Sequence, residues 1–185
     1  MKYRRTFVAV NLPEKAKKTI IEATGEWRNW PVRWTFERDI HLTLEFLGDT
    51  AIDEIALIGQ KISEVAARTE PFNLIFDRFV FGPKDFTEKE NPRMIWLEGP
   101  ENENLVQLQN NLTATLGTGG EKRRKYRPHI TIGRIKPGTD FKIFPRSLDI
   151  KIVISFVVKS MEFMESELTQ DGRKYTILLS APFGI

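Results

Sequence analysis

No cysteine occurs among the 185 residues. Its absence excludes a disulfide framework, a thiolate zinc site, an iron–sulfur cluster and a cysteine nucleophile. It also fits a reducing compartment, and a cytoplasmic location is the expectation. No apolar run approaches the ~18 residues that a membrane helix needs, so no membrane partner is expected. The opening stretch, residues 1–10, has no long apolar segment followed by small residues, so it reads as a strand rather than a secretory leader. Neither sign of charge dominates: 28 Lys and Arg stand against 25 Asp and Glu. That small excess does not by itself identify a nucleic-acid partner. Its distribution is more pointed, because Lys122, Arg123, Arg124, Lys125 and Arg127 cluster with only Tyr126 between them. Such a cluster is either a solvated loop or a phosphate-facing patch. Histidine is scarce, with two copies.

Hydrophobic patterning gives mixed elements within one domain's length. Residues 3–12, 40–47, 72–81, 93–97, 129–135, 150–158, 160–165 and 174–180 read as strands. Helical stripes run from Pro13, expected as a first helical residue, to about residue 28. Others are marked by Ile55, Ile58, Ile62, Val65 and Ala66, and by Leu105, Leu108, Leu112 and Leu116. Thr50 and Asp53 have the spacing of a capping box. Residues 30–39, 82–92 and 136–145 read as connections, 117–120 as a glycine-rich break, and Asp171-Gly172 as a turn. Phe7 to His41 spans 34 positions, as does Ile95 to His129, and each interval runs strand, helix, connection, strand. This is a repeat of architecture with little shared identity.

Both histidines sit in one pattern: His41-Leu42-Thr43-Leu44 and His129-Ile130-Thr131-Ile132. Threonine fills 15 of 185 positions. Chance would place it two residues after both histidines about 0.7 % of the time, treating positions as independent. Residues two apart on a strand share a face, so each motif presents an imidazole beside a hydroxyl, with Leu42 or Ile130 anchored behind. Ile40, Leu42, Leu44 and Phe46 form the expected buried face of the first strand, and His41, Thr43 and Glu45 the other. Imidazole titrates near neutrality, so a facing pair can act as general base and general acid. Threonine hydroxyls can hold an oxyanion between them. A tetrahedral phosphorus, with one group entering in line and one leaving, suits two such pairs. A zinc site is the alternative, with Glu45 completing the shell, but Gly133 stands at the matching place in the second strand.

Arg127 shares the His129 face if that strand starts early. Regular alternation puts Arg134 on the opposite face, so it reaches the site only through a bulge, a twist or the strand end. Trp30, Trp34, Tyr126 and Phe7 are aromatic rings that either stack on bases or fill the core.

These residues resemble the 2H phosphoesterase superfamily, and within it the RNA 2′,3′-cyclic phosphodiesterases, also called 2′-5′ RNA ligases. The resemblance spans nearly the whole chain. It rests on residues 5–13, on His41-Leu42-Thr43-Leu44-Glu45-Phe46-Leu47-Gly48, on Arg127-Pro128-His129-Ile130-Thr131-Ile132-Gly133-Arg134, and on Glu165-Ser166-Glu167-Leu168 with Gly172 and Tyr175. It implies a bilobal α+β fold over residues 1–185, in which two intertwined, duplicated lobes place two antiparallel sheets around a cleft, with helices outside. It implies hydrolysis of RNA 2′,3′-cyclic phosphate ends to 2′-phosphates without metal or cofactor. His129 would be base and His41 acid, although the symmetry of the motifs permits the reverse. Thr43 and Thr131 would hold the non-bridging oxygens, Arg134 would offset their charge, and 2′-5′ joining without ATP would use the same pair. The expected partners are RNA ends or small cyclic nucleotides, and a monomer is expected. Another cyclic or 2′-5′ nucleotide as substrate, or a non-catalytic RNA-binding module, are the competing readings.

Overall fold

Strand β1, Tyr3–Asn11, sorts its side chains by parity. Val8 and Val10 enter the main core, while Phe7 and Ala9 join a small cluster with Met164 and Tyr175 on the other face. That two-sidedness runs through the computed structural model, which describes residues 2–83, 91–119, 125–170 and 172–184. After β1 come helix α1 (Glu14–Ala23), β2 (Val32–Trp34), β3 (His41–Ala51), α2 (Ile55–Ala67), β4 (Phe72–Gly82) and β5 (Met94–Glu98). Helix α3 (Glu103–Leu116), β6 (Ile130–Ile135), β7 (Asp149–Val158), β8 (Ser160–Thr169) and β9 (Gly172–Pro182) complete the order. The α+β expectation holds.

Local chemistry explains the helix ends. Pro13 lies just before α1, and its carbonyl accepts from Lys17 N–H at 3.1 Å. Asn102 caps α3 by accepting from the Leu105 N–H at 2.9 Å. Gly117 ends α3 in the left-handed region at φ 70°. The capping box expected at Thr50 does not form. Strand β3 runs on through Thr50, whose buried hydroxyl bonds that of Thr6 at 2.6 Å, and α2 starts after a 3₁₀ turn at Ile52–Glu54.

The sheet order is β7-β4-β5-β6-β3-β1-β8-β9. The expectation of two separate sheets is refined here. Two antiparallel halves, β3-β1-β8-β9 and β6-β5-β4-β7, form one path joined by the single pair Leu42↔Ile130. Beyond that pair β2 takes over the same edge of β6, from Val32↔Ile135 to Trp34↔Gly133. In each half the inner strand carries a histidine motif, and its outer neighbour is the strand that precedes it across a helix. The helices cross between halves: α1 follows β1 yet packs on β7, and α3 follows β5 yet packs on β3. All three helices bury residues in the main core, which lies between them and the back of the sheet.

Candidate active site

His41 opens β3 opposite Asn11, and His129 immediately precedes β6. The residue after each histidine is a member of the joining pair, and both Leu42 and Ile130 are fully buried. Their side chains point back into the core, so the flanking residues point forward. Continuing the antiparallel register one step each way sets His41 against Thr131 and Thr43 against His129. The two imidazoles and two hydroxyls therefore stand at alternate corners of one patch. The two rings are close enough that the charge of His129 acts on His41.

Two bulges shape the rim. Along β3 the partners step from Ala9↔Thr43 to Val8↔Glu45, so Leu44 is the extra residue. Alternation reverses there. Glu45 is buried on the helix side, where Gln109 Nε2 of α3 donates to it at 3.4 Å, and Phe46 comes forward with 71 % of its surface exposed. This corrects the expected faces of both residues and removes the carboxylate that the zinc alternative needed. Strand β6 does the same, stepping from Trp96↔Thr131 to Ile95↔Gly133. The bulge brings Arg134 to the front, where its charge acts on His129 and Tyr175 and its guanidinium lies 3.2 Å from Met94 Sδ. Gly133 leaves no room for a side chain: a Cβ would stand 2.4 Å from Val32 Cγ1.

The imidazoles are held alike. His41 Nδ1 donates to the Asp39 carbonyl at 2.7 Å, and His129 Nδ1 donates to the Arg127 carbonyl at 2.8 Å. A carbonyl only accepts, so each Nδ1 carries hydrogen and each Nε2 is the nitrogen left for chemistry. Aromatic rings hold the planes. Phe7 and Tyr175 flank His41, each at 5.1 Å between centroids, and Trp96 stacks on His129 at 3.8 Å. Burial beside these rings lowers the His41 pKa from 6.5 to about 4, with Lys17 and His129 adding to the fall and the Asp39 bond opposing it. Burial lowers His129 too, against the Arg127 bond and the Glu98 carboxylate, which favour its charged form.

Among the described residues neither Thr43 nor Thr131 has a partner for its hydroxyl; their carbonyls accept from Tyr126 Oη at 3.0 Å and Thr35 Oγ1 at 2.9 Å. Arg127 is half exposed, and its Nε lies 3.3 Å from Glu98 Oε1. Of the basic cluster, Lys122, Arg123 and Arg124 lie outside the described residues, as do residues 84–90 of the loop, Gly120 and Asp171; Lys125 meets Glu101 at 3.7 Å. Trp30 stacks on Trp27, and Arg28 lies over Trp34, so both rings are engaged within the chain. Sequence reasoning missed Trp96 as the ring behind His129. Its signal was its place in β5, matching the strand of Phe7 in the repeat.

A sheet with helices behind it and two His-x-Thr strands side by side in front defines a two-histidine phosphoesterase. The model of the 2′-5′ RNA ligase superfamily matches residues 17–170. The chain belongs to that superfamily. The RNA 2′,3′-cyclic phosphodiesterase of Thermotoga maritima is 33 % identical over 186 residues, covering 97 % of this chain and 95 % of the relative. The Bacillus subtilis protein of the same name is 30 % identical over 141 residues, 72 % of this chain and 73 % of its own. Among solved structures, TT0787 of Thermus thermophilus superposes with a TM-score of 0.81 at 26 % identity, over 97 % of both chains. Escherichia coli LigT complexed with 3′-AMP shares the fold, with a TM-score of 0.78 at 21 % identity over the full length of both.

Proposed function

We propose that this chain hydrolyses RNA 2′,3′-cyclic phosphate ends to 2′-phosphates by paired-histidine acid–base catalysis without a metal ion. The carrying observation is that two His-Thr pairs flank Leu42↔Ile130 on one face, each imidazole with Nδ1 tied back and Nε2 available. Names of relatives at 30 % identity and above support the substrate class.

In this reading His129 Nε2 takes a proton from water as its oxygen bonds to phosphorus. The bond from phosphorus to the 3′-oxygen breaks in line, and that oxygen takes the proton from His41 Nε2. A 2′-phosphate and a 3′-hydroxyl result, and solvent returns the two histidines to their starting states. Thr43 and Thr131 donate to the non-bridging oxygens, and Arg134 and Arg127 add positive charge on the His129 side. An imidazole with a pKa of about 4 is a strong acid once charged. The anionic phosphodiester beside it raises that pKa and lets it hold the proton until the 3′-oxygen needs it. If an RNA 5′-hydroxyl replaces water, the same transfers join ends through a 2′-5′ linkage without ATP. The reading includes one catalytic domain over 1–185, made of two lobes interlocked through α1 and α3, acting as a monomer in the cytoplasm.

The test is an oligonucleotide ending in a 2′,3′-cyclic phosphate, with the product phosphate position read by ³¹P NMR. Turnover to a 2′-phosphate, lost in His41→Ala and His129→Ala, supports the reading. Tight binding with no turnover would replace it by an RNA-binding module. Turnover confined to a small cyclic or 2′-5′ nucleotide would change the substrate.

A further inference from the structure

The two histidines share a tether but not a neighbourhood. Beside His41 the adjacent strand ends in Asn11, its cross-strand partner. Strand β5 ends instead in Glu98, one position beyond Leu97↔Ile130 and so on the His129 side of that pair. Glu98 is a buried carboxylate, 7 % exposed, inside a sheet that buries few charges. Its Oε1 lies 3.3 Å from Arg127 Nε. The Arg127 carbonyl receives the Nδ1–H of His129, and the Arg127 guanidinium sits 5.8 Å from the centre of the Trp96 ring on which His129 stacks. Glu98 thus forms an ion pair with the residue whose carbonyl receives the imidazole N–H and whose guanidinium borders its aromatic platform.

We propose that Glu98 is a positioning residue for His129, acting through Arg127, and that this buried carboxylate is what makes the two halves of the site chemically unequal. A carboxylate behind a histidine does two things for a general base. It fixes the ring, and it stabilises the imidazolium that forms when the base takes a proton. Here the ring is fixed at one remove, since the Arg127 carbonyl receives Nδ1–H while Glu98 holds Arg127. The charge acts directly through space. The other charged groups that act on His129 are Arg127 on the preceding segment and Arg134 on β6, both opposing its protonation. Arg78 of β4 is the cross-strand partner of Glu98 on its far side. Among the described residues the charges acting on His41 are those of Lys17 and His129, and both repel a proton; the Asp39 carboxylate, on the residue that accepts its Nδ1–H, acts on neighbouring Tyr175 instead. The inequality suits His129 to accept a proton and His41 to give one, so the inference rests on the proposed reaction for its consequence and on the geometry for its existence.

The experiment is Glu98→Gln, an isostere without charge, compared with Glu98→Asp, which keeps the charge. The titration of His129 is followed by ¹H–¹³C NMR of the free protein, and kcat/KM on a cyclic-phosphate-ended oligonucleotide is followed against pH. In Glu98→Gln the His129 midpoint should fall by about half a unit or more. The rate should fall about tenfold, a part of the ~10²–10⁴ that a positioned base supplies. The His41 midpoint should stay in place, and Glu98→Asp should recover most of the His129 midpoint. A purely structural role would lower thermal stability and leave the His129 midpoint unchanged, and that result overturns the inference. If Glu98→Gln does not fold, Arg127→Gln tests the same link, and unchanged mobility and titration of His129 there overturns it equally. If the wild-type protein turns over no cyclic phosphate while the His129 midpoint still moves, the proposed reaction fails and the positioning role stands.

Discussion

His129 donates through Nδ1 to the carbonyl of Arg127 at 2.8 Å, as His41 does to Asp39 at 2.7 Å. One bond repeated in two places fixes the tautomer of both rings. It leaves the Nε2 of each ring for proton transfer at the front of the sheet. The first prediction concerns their loss. His41→Ala and His129→Ala should each lower turnover of a cyclic-phosphate end by ~10²-fold or more. Circular dichroism and unfolding midpoints should stay near wild type, since both rings lie at the front and not in the main core. Residual activity within tenfold of wild type in either variant would exclude that ring as acid or base.

Acidity provides the second. In the free protein His41 should stay neutral as pH falls from 6.5 and charge only near 4, read by ¹H–¹³C NMR. The unfolded chain binds that proton near 6.5, so between these values it holds more protons than the folded chain. Stability from this group is therefore complete above 6.5 and is lost as pH falls toward 4. Inorganic phosphate should move the His41 midpoint upward, because an anion favours the imidazolium. By the same sign, the pH limbs of kcat should lie above those of kcat/KM.

Oxyanion contacts give the third. Thr43→Val and Thr131→Val keep the shape of the strand and remove a donor. Each should lower kcat about tenfold or more, with a smaller change in KM. Arg134→Ala should raise KM more than it lowers kcat if its charge holds the phosphate before reaction as well as during it. Steady-state kinetics separates the two patterns.

Metal independence gives the fourth. Exhaustive dialysis against a chelator should leave the rate unchanged, and added zinc or magnesium should not raise it. A rate that falls with chelator and returns with one cation would replace water activation by His129 with activation by that cation.

Much of this was legible in residue order, and the exceptions share a cause. Strands 72–81 and 150–158 are readable because their side chains alternate or run apolar, and each ends within a residue or two of its observed limit. His41 and Thr43 are readable as a pair because period two holds between them. It fails at Leu44 and at Ile132, where bulges insert one residue, and there the faces expected for Glu45, Phe46 and Arg134 reverse. A bulge is a relation between two strands, and nothing local announces it. Strand β2 was missed for a similar reason: three residues after Pro31 gain their pairing from β6 alone. The capping box at Thr50 failed because the Thr6 hydroxyl on a neighbouring strand claims the side chain.

Gly133 gives a fifth prediction, on stability. An alanine there would drive its methyl into Val32 Cγ1 at 2.4 Å, with the Trp34 ring at 3.2 Å behind it. Gly133→Ala should cost ~1–3 kcal/mol in denaturant unfolding. Activity should fall as well, because β2 would be pushed from β6 beside Arg134. An unchanged unfolding midpoint would mean that β2 moves aside freely.

Leu42 and Ile130 form the lone rung between two ladders. Their aliphatic side chains, packed in the core behind the reacting groups, anchor the seam from which both imidazoles project. Leu42→Ala or Ile130→Ala would leave every polar group of the cleft intact and alter the width of the gap they share.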